Sequence, residues 1–376
     1  IPQGDWSSDV CSSDLTMKKI FITCMAVAMV LLTQQKADAC TGITLTAKDS
    51  ARIVARTIEW GGSELNSQYV VVPRGYVQHS YVPGYAQNGM KMVAQYGYVG
   101  LSVEQKEFVV EGLNEVGLSA GLFYFPGYGQ YEAYNEEVKE QSVTDLQLIS
   151  WILGCCATIE QVKEAVSKAH VIAIDPRAST VHWRFADKSG RQIVLEIVGG
   201  KPCFYENRLG VLTNSPGFEW QMTNLNNYVN LYAGTAEARK MGDVQIASFG
   251  AGSGSLGIPG DVTPPSRFVR AAFYQTTAPL QAKAEDAVRQ GFQILNNFDI
   301  PIGVEFADGK IPVDIPSATQ WTTVTDITNR VIYYRTMYNS AIRRIDLSEI
   351  DFTRVNYRAV PLDDVKQQPF VPVVIR

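Results

Sequence analysis

Apolar residues alternate with polar ones at Val181, Trp183 and Phe185, and again at Ile193, Leu195 and Ile197, with a turn at 187–190 between the two runs. A period of two on both sides of a turn predicts a β-hairpin with one buried face. Strand-like runs at 41–47 and 52–60, joined across Lys48, Asp49 and Ser50, predict an earlier hairpin. Further strands are expected at 68–73, 108–111 and 117–125, each bounded by Gly, Pro or Asn. The period then lengthens. Ser142 to Asp145 reads as a capping signature ahead of Leu146, Ile149 and Leu153, and Thr158 with Gln161 as a capping box ahead of Val162, Val166 and Ala169. These two short amphipathic helices, meeting near Cys155, are expected to cover one sheet face. Ala284, Ala287, Val288, Phe292 and Leu295 mark another helix, and strands return at 321–327 and 331–338. Strands, helices, strands, helices and strands in that order predict an α+β layered sandwich. No fixed-period repeat and no linker divides the chain. One domain is expected over 40–376, with a Pro-punctuated tail after about Val365.

The N-terminal pattern is of another kind. Met17, Lys18 and Lys19 make a basic start, residues 20–32 are apolar except Thr23, and Ala37, Asp38 and Ala39 form a small-x-small site. This is the layout of a cleavable secretion signal over residues 17–39, too short to remain as a membrane span. Export, to a bacterial periplasm or medium, is therefore expected. Residues 1–16, in which Ser-Ser-Asp occurs twice around Cys11, resemble translated adapter sequence and are expected to be a non-native leader.

Composition narrows the partners. The chain is 46% hydrophobic and 19% charged, with a formal net charge of −5 and no run of Lys or Arg. It has no electrostatic footprint for nucleic acid, so a small-molecule partner is expected, without stable membrane insertion after processing. Beyond the signal lie Cys40, Cys155, Cys156 and Cys203, too sparse for a disulfide scaffold. The last three read as small buried hydrophobes. Gly252 to Gly257 matches GxGxxG, but Pro259 follows where a helix should begin, which favours a surface loop over a dinucleotide site. His79, His170 and His182 lack metal-ligand spacing, and neither a metal nor a cofactor is expected. His182, in an alternating strand beside Trp183, reads as structural, although spacing alone leaves a papain-like Cys/His pair open.

Cys40 is the residue that the expected cleavage would place first. It would then carry both a thiol and an α-amine, which titrate near about 8.5 and about 7.7–8.0 and are matched for proton exchange. This is the arrangement of an N-terminal nucleophile. The competing reading is a lipid-modified cysteine, against which Asp38 counts because it breaks the small-residue run such sites carry.

Five blocks make the picture specific: CTGITLT from Cys40, RTIEW from Arg56, GLNE from Gly112 with GLSAGL from Gly117, VLTNSP from Val211, and PGDVTPPSRF from Pro259. In this order, over nearly the whole chain after Ala39, they resemble the choloylglycine hydrolase family, which contains bile salt hydrolases and penicillin V acylases. The resemblance implies an N-terminal nucleophile hydrolase αββα sandwich, hydrolysis of a linear amide C–N bond, and a homotetramer. It implies Cys40 as nucleophile, Arg56 as stabiliser of its thiolate, Asn214 as donor to the oxyanion and Arg267 as the holder of the polar network. A guanidinium beside a thiol lowers its pKa, and a preorganised amide donor is worth roughly 3–4 kcal/mol in the transition state.

Two positions depart from the family's pattern. Glu59 stands where the family usually has Asp to orient the nucleophile's amine, and a methylene more displaces the carboxylate. Arg56 and Glu59, three apart, fall on opposite faces of a regular strand, so a bulge or strand end is expected there. Phe123 stands where Asn or Tyr is usual. With Trp60 and Tyr124 it predicts an aromatic pocket, favouring an aryl acyl group such as phenoxyacetyl alongside a steroid. The alternative class of function is a non-catalytic, lipid-anchored binding protein on the same fold.

Overall fold

The computed structural model describes residues 38–175, 179–307 and 309–375. The expected leader and the signal up to Ala37 lie outside the described residues.

Two sheets lie at the centre. The five-stranded sheet has the order β1 (Asp38–Thr46), β2 (Arg52–Trp60), β10 (Thr319–Asp326), β11 (Val331–Thr336), β12 (Arg343–Asp346). The eight-stranded sheet runs β9 (Lys201–Glu206), β8 (Gln192–Val198), β7 (Val181–Asp187), β6 (Leu118–Tyr124), β5 (Val109–Asn114), β4 (Tyr98–Ser102), β3 (Gln68–Val72), β13 (Arg358–Pro361). Helices α1 (Leu148–Cys155) and α2 (Ile159–Ser167) pack on the eight-stranded sheet. α4 (Pro264–Thr277) and α5 (Ala284–Leu295) pack on the five-stranded one, and the shorter α3 (Phe218–Asn224) leans on α4. This is the expected αββα sandwich. Glycines let the layers close: a Cβ on Gly112 would stand 2.6 Å from Leu153 of α1, and one on Gly291 of α5 would press Val324 at 3.2 Å.

The sandwich revises the expected one-sided hairpin. Every residue of β7 is buried, because Trp183 and Phe185 face the helices while His182 and Arg184 face the other sheet. Polar residues of alternating strands thus enter the layer between the sheets instead of facing solvent. The helix expected from Ser142 is also revised. Ser142–Thr144 is a short strand paired in parallel with His170–Ile172, and α1 begins only at Leu148. The Ser142 hydroxyl that a cap would have used is engaged instead by the Val138 carbonyl at 3.0 Å and His170 Nδ1 at 2.8 Å. Thr158 does cap α2, accepting from the Gln161 backbone N–H at 3.3 Å. Helix α4 had no expectation attached to it, although Pro264 and Pro265 occupy its first turn, where a missing N–H costs nothing.

Candidate active site

Antiparallel pairing of β1 with β2 sets Cys40 opposite Ile58 and Gly42 opposite Arg56. Paired residues share a face, so the Cys40 and Arg56 side chains both enter the layer between the sheets. There Arg56 Nη2 donates to Cys40 Sγ at 2.7 Å. Its Nη1 donates to the carbonyls of Val110 (3.2 Å) and Leu122 (2.5 Å), just past Glu111 and Gly121, where the β5–β6 ladder ends. Each end of the guanidinium is therefore fixed, and the whole residue is buried.

The main chain of Cys40 is held from another side. The Cys40 N–H donates to Asn214 Oδ1 at 2.9 Å, and its carbonyl accepts from Arg267 Nη1 at 2.5 Å. Arg267 also donates to Thr41 Oγ1 (2.8 Å) and Asn214 Oδ1 (2.7 Å), tying three elements together from α4. Reciprocal backbone bonds between Gly42 and Leu212 bring the Asn214 segment alongside β1. Asn214 Nδ2 donates to the Tyr124 carbonyl at 2.8 Å. Burial pushes the thiol above its ordinary value, opposed by Arg56, the Tyr124 amide and Arg267 and reinforced by Glu59.

Glu59 sits opposite Ala39 on the helix-facing side of β2. No bulge in β2 brings it round: β2 stays in register with β1, and the irregularity lies in β10, between Thr319 and Trp321. Of the two expected devices the bulge is absent from β2, while the strand does end at Trp60, one residue after Glu59. Arg56 reaches the thiol through one face of the strand, and Glu59 stands with Arg267 on the other. Burial pushes Glu59 up to about 8 despite the pull of Arg267. Its Oε1 accepts from Thr319 Oγ1 at 3.4 Å, while Oε2 has no hydrogen-bond partner among the described residues.

Phe123 is not a pocket residue. It is fully buried, its ring 4.3 Å beneath the Arg56 guanidinium, and a Cβ on Gly42 would come within 2.9 Å of it. Alternation along β6 sends Phe123 between the sheets, and Tyr124 is the residue whose backbone reaches Cys40. Trp60 shares the Cys40 face of β2, half-buried, with its indole N–H donating to Ser63 Oγ at 3.0 Å. His182 is structural: Nδ1 meets Glu196 at 3.1 Å and Nε2 meets the Thr213 carbonyl at 3.1 Å, leaving no ring nitrogen for a thiol. Cys155, Cys156 and Cys203 are unbridged. The Gly252–Gly257 run is a loop with one 3-10 turn.

Sequence reasoning missed Glu111 and Arg184. Arg184 Nη2 donates to Glu111 Oε1 at 3.0 Å, and Glu111 Oε2 stands 3.8 Å from Arg56 Nη1, all three residues buried. A charged residue inside an otherwise largely apolar strand, Glu111 in β5 and Arg184 in β7, was the available signal.

Comparison with known proteins places this geometry. Residues 40–361 match the family described as linear amide C–N hydrolases, choloylglycine hydrolase family. A bile salt hydrolase/transferase of Clostridium perfringens is 30% identical over 318 residues, covering 82% of this chain and 93% of the relative. One of Lactiplantibacillus plantarum is 33% identical over 274 residues, covering 71% and 82%. A crystal structure of a conjugated bile acid hydrolase variant from C. perfringens superposes with a TM-score of 0.77 at 27% identity, covering 89% of this chain and 100% of that one. The penicillin V acylase of Agrobacterium tumefaciens, at 21% identity and TM-score 0.70, covering 87% and 93%, shares the fold. The chain has the N-terminal nucleophile hydrolase fold and belongs to the choloylglycine hydrolase family of linear amide C–N hydrolases.

Proposed function

We propose that Cys40 becomes the N-terminal residue of an exported enzyme and attacks the amide carbonyl of glycine- or taurine-conjugated bile salts. The observation that carries this reading is the Arg56 guanidinium, fixed by two carbonyls and placed 2.7 Å from Cys40 Sγ. A buried cation in contact stabilises the thiolate that burial alone would disfavour. The sulfur forms a bond to the carbonyl carbon, and the oxygen takes up the negative charge. Asn214 Nδ2, which has a second N–H beyond the one given to Tyr124, supplies a donor to it. The Cys40 α-ammonium gives its proton to the departing amine as the C–N bond breaks. Water then hydrolyses the thioester, regenerating the thiol and releasing the free acid.

Glu59 lies opposite Ala39, the residue whose removal creates the amine, and so stands next to the new charge. Its unpartnered oxygen gives that charge a counter-ion. With Phe123 withdrawn into the core, an aryl pocket rests on Trp60 and Tyr124 alone, and the bile salt named for both relatives becomes the leading substrate. The test is intact mass of the exported protein, with hydrolysis of glycine- and taurine-conjugated bile salts and penicillin V by it and by Cys40→Ala. A chain starting at Cys40, active on the bile salts and silenced by the substitution, is the expected result. Full activity in Cys40→Ala, or a lipid on Cys40 with no hydrolysis, overturns the proposal.

A further inference from the structure

The layer between the sheets holds more charge than the thiol contact needs. Arg56, Glu111 and Arg184 are all buried there, drawn from β2, β5 and β7. Phe123 lies against both guanidiniums, with ring centroid distances of 4.3 Å to Arg56 and 5.7 Å to Arg184. Buried charges must be compensated, and these three leave one positive charge over. The neighbour that can balance it is the Cys40 sulfur, in contact with Arg56.

The detailed geometry shows which cation serves which anion. Glu111 hydrogen-bonds Arg184 at 3.0 Å but stands 3.8 Å from Arg56, beyond hydrogen-bond reach. Gly121 leaves room for this arrangement, since a Cβ there would come within 2.5 Å of Glu111 Oε2. Arg184 Nη1 also donates to the Ala55 carbonyl at 3.4 Å. A carboxylate hydrogen-bonded to Arg56, closer than the 3.8 Å ion pair that Glu111 makes with it, would offset more of the cation that the sulfur needs.

We propose that Arg184 and Glu111 are positioning residues for the reaction: Arg184 occupies the Glu111 carboxylate so that the Arg56 charge stays available to the Cys40 thiolate. This deepens the reading of Cys40 as nucleophile and rests on it. The charged groups that bear on the sulfur are Arg56 from the inter-sheet side, with Glu111 and Arg184 behind it, and Glu59 and Arg267 from the helix side. His182, paired with Glu196, stands edge-to-face with Phe123.

The test reads the thiol itself and needs no substrate. The rate at which iodoacetamide modifies Cys40 in the processed protein is followed against pH by peptide mass spectrometry, which separates Cys40 from Cys155, Cys156 and Cys203. Arg184→Met removes a positive charge and should move the profile to higher pH, lowering the rate at pH 7 by about fivefold to tenfold; one pKa unit is about tenfold in thiolate. Glu111→Gln removes the negative charge and should move it to lower pH. The double variant restores the net charge of the group and should return the profile toward that of the unaltered protein. Arg184→Lys, which keeps the charge, should shift least and guards against a folding defect in Arg184→Met. Shifts of the same sign in both single variants, a double variant displaced as far as the worse single, or no shift at all would overturn the proposal. Activity of Cys40→Ala decides the nucleophile reading separately, so the two can fail independently.

Discussion

The two faces of β2 meet opposite kinds of surroundings. Toward the eight-stranded sheet, Arg56 stands between Val54 and Ile58 and meets a thiol, a carboxylate, a second guanidinium and an aromatic ring. Toward α4 and α5, Ile53 and Ala55 join an apolar layer with Val288, Phe292 and Leu295, and charge returns only at the strand's end, in Glu59. The helix side offers close-packed hydrocarbon, whose loss is felt as stability. The inter-sheet side holds fixed charges that burial makes expensive and that only mutual contact compensates. Catalytic machinery can be kept rigid in such a layer because both of its walls are hydrogen-bonded sheets.

The comparison is broken most severely at Asn214 and Arg56. Asn214→Ala is expected to lower the turnover rate by about 10²–10³-fold, the scale of a lost oxyanion donor, with a circular dichroism spectrum unchanged. Arg56→Leu should lower turnover at least as much, through a thiol that alkylates only at higher pH. Loss of stability with preserved turnover per folded molecule would move Arg56 to the structural side.

Two substitutions of packed residues sharpen the contrast. Phe123→Ala should cost about 3–5 kcal/mol in denaturant unfolding, as for a fully buried ring, and should slow turnover for every substrate alike. A change in preference between bile salts and penicillin V would return Phe123 to a pocket. Leu295→Ala, on α5, should cost about 2–5 kcal/mol and leave turnover per folded molecule within a factor of about two. The remaining effect is one of pH and belongs to Glu59 before processing. Its carboxyl holds a proton up to about 8 in the folded chain against an ordinary 4.5, so the folded state binds more protons between those values. The Glu59 contribution to the stability of the unprocessed chain should therefore be greatest below about 4.5 and be lost as pH rises to about 8. Glu59→Gln should flatten that decline in thermal melts; an unchanged slope would remove Glu59 as its cause.

Much of this was legible beforehand, for reasons that differ by residue. Trp183 and Phe185 alternate because one face of β7 meets helices, and that period is local. Cys40, Arg56, Asn214 and Arg267 were legible through motif resemblance, although the last two are brought to Cys40 from 174 and 227 residues away. Glu111 and Arg184 were not. Local reasoning assigns a charged strand residue to solvent, and only the stacking of two sheets turns that face inward. The same stacking removed Phe123 from the pocket, and strand alternation placed Glu59 across from Arg56 without a bulge. Pairing partners, more than residue types, decided each of these cases.

The account stands on Cys40 as the atom that takes the acyl group. The direct measurement is intact and peptide mass of the exported protein, quenched in acid during turnover of a glycine-conjugated bile salt. The expected result is a chain beginning at Cys40 that carries the bile acyl group on its sulfur, an adduct lost on treatment with hydroxylamine and absent from Cys40→Ala. An acyl group on any other residue, or undiminished turnover by Cys40→Ala, would contradict it.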